Sequence, residues 1–347
     1  MRIAQISPLY ESVPPQLYGG TERVVSYLTE ALVRQGHEVT LFASGDSQTA
    51  ARLVPVTERS LRLDPHCLDW LAHNTLLLER AAQHADEFDV MHYHIDYHHF
   101  PLSRRLGKAQ LTTLHGRLDI PDLQGIYSEY SDMPVVSISD SQRGPLPQAH
   151  WVGTVYHGLP LDLYPFSPKP DGYFAFIGRI SREKRVDRAI EVAKRLGVPI
   201  RIAAKIDKAD REYFDSEIAH LFDDPLVEYI GEIGEKDKAE FLGGARALLF
   251  LIDWPEPFGL AMIEAIACGT PVVAFRCGSV PEVLDDGVTG FLVDDMEGAL
   301  KRAAEISALD RKLVRRRFEE RFSSDRMASD YVRIYREVIA KQGGTRG

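Results

Sequence analysis

Short apolar runs alternate with amphipathic stretches along most of the chain. The runs at 2–6, 38–43 and 247–252 have the length of buried strands. Between the first two runs, apolar residues from 24 to 32 recur at the three- and four-residue spacing of a helix. Because this strand–helix order repeats in both halves, the pattern predicts an α/β protein with two Rossmann-like, doubly wound domains.

A proline-rich stretch divides the chain near its middle. Four prolines fall within 159–172, and such a composition is typical of a stiff linker. A chain of 347 residues also has the length of two ordinary domains. We therefore predict a first domain over 1–160, a linker over 161–172, a second domain over 173–322 and a closing helical segment over 323–347.

The segment 253–269 combines the end of a strand, a rigid loop and a helix. Pro255 and Pro257 disfavour regular helix before Phe258, whereas the following apolar residues recur at helical spacing as far as Gly269. Such a loop exposes backbone N–H groups and the positive end of a helix dipole. Both features attract a phosphate or a polarised sugar hydroxyl.

Two carboxylates frame this loop. Glu256 precedes the first helical turn, and Glu264 lies roughly 9 Å further along the axis if the helix is regular. One ligand could therefore bridge the two side chains. The alternative is that Glu256 caps the helix and Glu264 is solvated.

A basic pair follows another predicted strand, over 173–177. Gly178 comes next, and Arg179 and Lys184 are five residues apart. The bidentate fork of arginine and the compact charge of lysine can together hold one diphosphate. The alternative is a pair of surface cations at the start of a helix.

A pair of glycines opens the first helix of the first domain. Gly19 and Gly20 precede Thr21, which is the predicted N-cap. Without side chains, the two glycines would let a phosphate approach the backbone closely. A plain turn is the alternative interpretation.

Histidines are concentrated in the first domain. His115 follows a strand predicted over 110–114, at the end of the sheet where open α/β proteins bind ligands, although it could also be a hydrogen-bonded turn residue. The segment 92–99 holds four histidines and one aspartate, which are good metal ligands. No second cluster supplies the remaining ligands, so a metal site is disfavoured.

Composition limits the partners and the compartment. The net charge of −10, from 41 basic and 51 acidic residues, disfavours nucleic acid. No apolar run approaches the roughly 20 residues of a membrane span, and the N-terminus fits a strand better than a signal peptide. Three cysteines lack metal-type spacing, so we expect a cytoplasmic protein. Acidic residues directly after the basic run 311–317 favour a solvated helix over a membrane-surface helix.

Five segments together resemble the signature of the retaining family 4 glycosyltransferases of GT-B fold. They span almost the whole chain in the order and spacing of that family. The segments are YGGTE at 18–22, GRISREK at 178–184, EPFGLAMIEAIACGTPVV at 256–273, GSVPEV at 278–283 and GVTGFLV at 287–293. One departure is His157-Gly158, where the family more often has Asn-Gly.

The resemblance implies a fold and a set of residue roles. The two domains would face each other across a cleft, with the acceptor in the first and the nucleotide sugar in the second, and the segment 323–347 would pack back on the first domain. Arg179 and Lys184 would stabilise the leaving diphosphate, Glu256 and His115 would contact the transferred sugar, and Glu264 would hold the ribose. The remaining implied contacts are Gly19, Gly20, Gly178, Phe258, Gly259 and Leu260 near phosphate and sugar, Ile233 at the base, and His94 and Asp96 in the acceptor cleft.

The resemblance also implies a reaction. The expected enzyme moves a hexose from a nucleoside diphosphate sugar, such as a UDP- or GDP-sugar, to a hydroxyl of a small-molecule, glycan or lipid-linked acceptor, without a metal cofactor. Because no carboxylate is obviously placed as a nucleophile, a front-face retaining mechanism is favoured over double displacement. A sugar phosphorylase or epimerase of the same fold and a non-catalytic sugar-nucleotide-binding subunit remain alternatives.

Overall fold

The computed structural model describes residues 1–16 and 19–344 of the chain. The chain forms two compact units, the first made of Met1–Leu159 with Ser324–Gly347 and the second of Pro160–Ser323. The segment 161–172, which the sequence predicts as a linker, belongs to the second unit.

The first unit is a parallel sheet of seven strands flanked by helices. The strands follow the order β3-β2-β1-β4-β5-β6-β7. Its elements up to residue 159 are β1 (Arg2–Ile6), α1 (Gly20–Arg34), β2 (Glu38–Ser44), β3 (Arg52–Thr57), α2 (Trp70–Gln83), β4 (Val90–Tyr93), α3 (Phe100–Leu106), β5 (Gln110–Thr113), α4 (Leu123–Glu129), β6 (Pro134–Ser137) and β7 (His150–Thr154).

The second unit is a parallel sheet of six strands in the order β10-β9-β8-β11-β12-β13. Its elements are β8 (Tyr173–Arg179), α5 (Val186–Leu196), β9 (Ile200–Lys205), α6 (Arg211–Tyr213), β10 (Val227–Gly231), α7 (Glu235–Gly243), β11 (Ala245–Phe250), α8 (Leu260–Ala267), β12 (Val272–Phe275), α9 (Val280–Val283), β13 (Gly290–Val293), α10 (Met296–Glu305) and α11 (Arg311–Arg321).

Shorter helical turns connect these elements. The 3₁₀ turns are Leu61–Leu63, Ala85–Glu87, Ser141–Arg143, Lys208–Asp210, Ala219–Asp223 and Ile306–Ala308, and one π-turn covers Phe214–Ile218. None of the helices in the described parts of the chain combines the length and apolar character needed to cross a bilayer.

The last helix, α12 (Ser324–Gly344), returns to the first unit. It packs against α1 and β5 and buries Tyr331 and Tyr335 completely. Gly153 in β7 makes room for it, because a Cβ atom there would lie 2.6 Å from Cδ1 of Ile334. The predicted fold class, two doubly wound α/β sheets with a terminal helix on the first, is confirmed.

Each sheet has one topological switch point, where successive strands depart in opposite directions. In the first unit it lies between β1 and β4, and in the second between β8 and β11. Open parallel sheets bind ligands beyond the carboxyl ends of the strands at such points, because the following loops diverge and leave a crevice. The topology therefore locates a candidate site in each unit.

Some predicted boundaries are wrong for identifiable reasons. Thr21 is not the N-cap, because the helix begins at Gly20 and Gly19 occupies that position. Helix α8 begins at Leu260 rather than at Phe258, since Gly259 adopts the left-handed conformation with φ of 81°. Strand β3 escaped prediction because Pro55 interrupts its apolar residues, and a proline within such a run argues against a strand.

Candidate functional site

The second unit gathers the predicted basic and acidic residues at its switch point. Gly178 and Arg179 are the last residues of β8, and Lys184 lies in the following loop. Glu256 lies in the loop after the neighbouring strand β11. Because β8 and β11 are parallel neighbours, their carboxyl ends lie at the same edge of the sheet. The fold thus brings together Lys184 and Glu256, which are 72 residues apart in sequence.

The ammonium group of Lys184 forms an ion pair with Oε2 of Glu256. The side chains are only 21% and 14% exposed, so the pair is shielded from much of the solvent screening that weakens surface ion pairs. The ammonium also lies 5.1 Å from the ring centroid of Trp254, within cation–π range. Lys184 is therefore held in place before any ligand arrives.

Arg179 is surrounded by carboxylates. Its guanidinium lies 2.5 Å from Oε1 of Glu183, 3.4 Å from Oδ2 of Asp210 and 3.9 Å from Oδ2 of Asp207. Burial, and to a smaller degree its acidic neighbours, raises the pKa of Asp210. A diphosphate that binds Arg179 must compete with these carboxylates for its N–H groups.

The loop that carries Glu256 is clamped by the segment after β12. The backbone N–H of Ser279 donates to the carbonyl of Glu256 at 3.1 Å, and the Ser279 hydroxyl donates to the carbonyl of Phe258 at 3.0 Å. At Gly278, where φ is 56°, a Cβ atom would lie 2.6 Å from the backbone nitrogen of Glu256. Only glycine fits this close approach.

The start of α8 is shaped by Gly259. Its left-handed conformation turns the chain between the buried Phe258 and Leu260, the first residue of the helix. The first amides of a helix lack intrahelical partners and carry the positive end of its dipole. The backbone of Phe258, Gly259 and Leu260 forms this turn at the start of α8, where the sequence predicts contacts with phosphate and sugar.

Glu264 lies inside α8 with its side chain only 4% exposed. Its Oε1 atom accepts a hydrogen bond of 2.8 Å from the ammonium of Lys238, which lies on α7. Lys238 is also 3.7 Å from Glu235, and that carboxylate accepts from the hydroxyl of Tyr164. The alternative of a solvated Glu264 is therefore wrong.

Two further predicted donor contacts lie around this edge. A Cβ atom placed on Gly178 would meet nothing within 4 Å, so the backbone at the end of β8 is open to a ligand. Ile233 is half-buried in the loop between β10 and α7, just beyond the carboxyl end of the edge strand β10.

In the first unit, the paired glycines lie after β1 at its switch point. Gly19 caps α1, and a Cβ atom there would lie 2.8 Å from Cβ of Pro15. Gly20 is the first residue of the helix. Tyr18, which belongs to the same sequence motif, lies outside the described residues.

His115 follows β5 and is half-buried. Its Nε2 atom is 2.8 Å from Nδ1 of His94, and its ring stacks on that of His157 with centroids 5.4 Å apart. Burial lowers the pKa of His115 to about 3, so the imidazole is neutral near pH 7. His157, which departs from the family's usual asparagine, thus supports one face of this ring.

His94 and Asp96 follow β4 but differ in accessibility. His94 is only 3% exposed and hydrogen-bonds through both ring nitrogens, to His115 and to Gln5. Asp96 is exposed and has a φ of 52°. Among residues 1–16 and 19–344, no three histidine, cysteine or carboxylate side chains are arranged to hold a metal ion.

Several residues of these sites escaped sequence analysis. Lys238 lies in a helix that the sequence predicts, but nothing in its spacing indicates the ion pair with Glu264. Gln5, Tyr331 and Tyr335 resemble ordinary strand and helix residues in sequence, yet all three are buried and hydrogen-bonded beneath His115 and His94. A polar glutamine inside an otherwise apolar strand was the one available signal.

Two family profiles match the chain. The profile described as "Glycosyl transferases group 1" matches residues 165–321, and the profile described as "Glycosyltransferase Family 4" matches residues 18–134. The first match falls within the second unit and the second match within the first unit.

Individual relatives agree with these profiles. Phosphatidyl-myo-inositol mannosyltransferase of Mycobacterium tuberculosis is 25% identical over 99% of this chain and 98% of its own length. N-acetyl-alpha-D-glucosaminyl L-malate synthase of Bacillus anthracis is 35% identical, over 31% of this chain and 30% of its own length. The solved structure of AviGT4, a glycosyltransferase involved in Avilamycin A biosynthesis, has 25% identity and a TM-score of 0.74 and covers 98% of both chains.

Proposed function

We propose that this chain, which belongs to the family 4 glycosyltransferases of GT-B fold, transfers a hexose from a nucleoside diphosphate sugar to a hydroxyl acceptor with retention of anomeric configuration. The observation that carries this proposal is the ion pair of Lys184 and Glu256 at the switch point of the second sheet. It joins the basic segment after β8 to the acidic loop after β11, on either side of one crevice.

The basic residues suit the departure of a nucleoside diphosphate. Negative charge grows on that group as the glycosidic bond breaks, and fixed charges that oppose it supply one of the largest contributions to catalysis. Arg179 and Lys184 provide the positive charge, and the amides around Gly259 add electropositive donors. The carboxylates hold both cations at this edge of the sheet, so a bound diphosphate would exchange contacts with them rather than order free side chains.

The two acidic residues suit the hydroxyl groups of the donor. Glu256 presents a carboxylate beside the diphosphate position, where it can accept hydrogen bonds from the transferred sugar. Glu264 is engaged by Lys238 through Oε1, so its second oxygen is the one assigned to the ribose hydroxyls. Burial makes hydrogen bonds of this kind directional and selective, since an unpaired group there is costly.

A front-face course fits this set of groups. The acceptor oxygen would attack the anomeric carbon from the side on which the diphosphate leaves. Its proton would pass to the departing phosphate oxygen, so no enzymic nucleophile is needed. Arg179 and Lys184 assume the charge stabilisation that a divalent cation supplies in other transferases, and we therefore expect turnover to be unaffected by EDTA.

The proposal is tested by incubation with UDP-, GDP- and ADP-sugars in the presence and absence of small-molecule, glycan and lipid-linked acceptors. We expect nucleoside diphosphate release that depends on an acceptor, and an α-linked product from an α-linked donor. Failure of folded protein to release nucleoside diphosphate across the panel, despite binding it, would favour a non-catalytic binding subunit. Sugar phosphate formed from inorganic phosphate would favour a phosphorylase, and epimerised nucleotide sugar an epimerase.

A further inference from the structure

A continuous chain of hydrogen bonds leads from His115 into the core of the first unit. We call it the histidine relay. It links two strands, the end of a third and the terminal helix, and its members are Gln5, His92, His94, Thr113, His115, Tyr331 and Tyr335. All members except His115 are almost completely buried.

The outer half of the relay connects His115 to the terminal helix. Nε2 of His115 is 2.8 Å from Nδ1 of His94, and Nε2 of His94 is 2.7 Å from Oε1 of Gln5. The Nε2 group of Gln5 donates in turn to the hydroxyl of Tyr335 at 3.0 Å. Tyr335 belongs to α12, so the helix completes the hydrogen bonds of a residue in the first strand.

The inner half returns from the helix to the sheet. The Tyr335 hydroxyl is 2.8 Å from Nδ1 of His92, whose Nε2 atom is 2.7 Å from the hydroxyl of Thr113. That hydroxyl is 2.8 Å from the hydroxyl of Tyr331. The rings of His92 and His94 lie 4.0 Å apart between centroids, so the two halves pack against each other.

The chemistry of imidazole couples these bonds. A neutral imidazole has one N–H donor and one bare nitrogen acceptor, and burial lowers the pKa values of His92, His94 and His115 so that all three are neutral near pH 7. The Gln5 carbonyl accepts, so Nε2 of His94 carries its proton and Nδ1 is bare. Nε2 of His115 must then donate to that bare nitrogen, which leaves Nδ1 of His115 without a proton.

Nδ1 of His115 is the open end of the relay. It has no hydrogen-bond partner among the described residues, although it is buried. A buried acceptor without a partner costs free energy unless a ligand supplies a donor. A substrate hydroxyl has the required chemistry.

We propose that Gln5, His94 and Tyr335 are positioning residues that fix the tautomer of His115, so that its Nδ1 accepts a hydrogen bond from a substrate hydroxyl. This inference rests on the proposed transferase function for the identity of the hydroxyl, but the tautomer itself does not depend on activity. It also gives the terminal helix a role in the site, because Tyr335 orients the Gln5 amide.

The direct test is nitrogen-15 NMR of histidine-labelled full-length protein near pH 7. A His115→Gln spectrum assigns the resonances. We expect His115 with a protonated Nε2 and a bare Nδ1, and His94 in the same tautomer. A protonated Nδ1 on His115 would overturn the proposal, because the relay would then run in the opposite direction.

Variants test whether the relay sets that tautomer. Gln5→Leu removes the accepting carbonyl, and Tyr335→Phe removes the hydroxyl that orients Gln5 and also contacts His92. In each we expect a mixture of His115 tautomers and a five- to tenfold lower kcat/KM, the loss of about one hydrogen bond to substrate, with unchanged nucleoside diphosphate affinity. If Gln5→Leu does not fold, the spectra of Tyr335→Phe and the wild type show whether the relay sets the tautomer of His115.

Tyr93→Phe is the matched control. Tyr93 lies on the same strand between His92 and His94, is equally buried, and its hydroxyl reaches the sulfur of Met91 rather than the relay. We expect the tautomers of His115 and His94 and the rate to be unchanged, whereas the resonances of His99, whose ring stacks on Tyr93, can shift without a change in the relay. A wild-type tautomer in both relay variants would contradict the positioning role, even where activity falls. Absence of any transferase activity would instead contradict the proposed function and leave the tautomer result to stand.

Discussion

Each cation assigned to the donor site of the second unit is held by a carboxylate. Arg179 contacts Glu183, Lys184 contacts Glu256, and Lys238 contacts Glu264. The pairs keep long side chains in fixed positions in a partly buried site, which a diphosphate can then use without ordering them again. If the proposed function is right, the donor would bind by exchanging one set of charge contacts for another.

Glu264→Ala tests the proposed contact of this carboxylate with the ribose. Loss of the carboxylate removes the proposed ribose contact and leaves Lys238 without its nearest partner. We expect affinity for nucleoside diphosphate to fall about tenfold, because a hydrogen bond to a charged group contributes roughly 1.5–3 kcal/mol before compensation. Calorimetric titration measures the change, with Glu240→Ala on the neighbouring helix as the control. Unaltered affinity would remove Glu264 from the ribose role.

Sequence alone identifies the charged residues of this site better than it identifies the residues that they contact. Glu256 could be singled out because it lies between two prolines after a predicted strand. Lys184 could be singled out because it follows a predicted strand and a glycine and lies five residues after Arg179. Their pairing could not, since it depends on the order of β8 and β11 in the sheet. Lys238 carries no local signal at all, because a lysine on a helix is usually solvated.

The loop after β11 owes its shape to another loop, not to its own residues. Gly278 lies against the backbone of Glu256, and Ser279 holds the carbonyls of Glu256 and Phe258. The prolines predict a rigid loop correctly, yet they do not predict this contact. Helix starts and sheet edges were similarly hard to predict, as Gly259 and β3 illustrate, because they depend on backbone conformation and on neighbours.

Gly278→Ala tests whether the segment after β12 holds the loop that carries Glu256. The added methyl group would collide with the Glu256 backbone at 2.6 Å and would occupy a residue whose φ is 56°. We expect the free energy of unfolding to fall by about 1–3 kcal/mol and donor affinity to fall as the loop shifts. Denaturant unfolding and calorimetry measure the two effects.

Gly287→Ala is the control for that substitution. Its φ of 76° imposes a similar backbone penalty, but a Cβ atom there would meet nothing within 4 Å. We expect lower stability with unchanged donor affinity. Equal losses of affinity in the two variants would contradict the clamp on the Glu256 loop.

At the scale of the whole chain, the fold class and the two doubly wound sheets follow from the strand–helix alternation. The connection of Gln5 to Tyr335 does not, because it joins residues 330 positions apart through polar groups. Hydrophobic periodicity predicts which face of a helix is buried, but it is silent on which hydroxyl meets which amide. The buried polar networks are therefore the part of this protein that its sequence pattern does not predict.

The buried histidines make stability depend on pH. Burial lowers the pKa of several histidines in the first unit, most strongly for His92, His94, His99, His115 and His157. Below their ordinary pKa of about 6.5 the unfolded chain binds protons that the folded chain excludes, so stability falls as pH falls. Each such residue lowers the free energy of unfolding by up to about 1.4 kcal/mol for each pH unit below that value.

We therefore expect the melting temperature of the first unit to fall between pH 6.5 and pH 5. His99→Gln should make this dependence shallower, because it removes one of these buried titratable groups. His99 hydrogen-bonds to Ser103 and Thr112 and lies outside the relay, so the relay should stay intact. His66→Gln, at an exposed position, is the control and should leave the slope unchanged. Identical slopes in all three proteins would contradict the neutral, buried state of His99.

The proposed role of Lys184 is to stabilise the departing diphosphate, and the turnover of Lys184→Ala measures that role. Arg182→Ala is the control, because Arg182 lies two residues away but is 67% exposed and paired with Glu217. With a donor and acceptor identified from the panel, we measure nucleoside diphosphate release under saturating conditions. We expect kcat to fall at least about a hundredfold in Lys184→Ala, as for loss of a transition-state donor, and to be unchanged in Arg182→Ala. An unchanged kcat in folded Lys184→Ala would contradict that role.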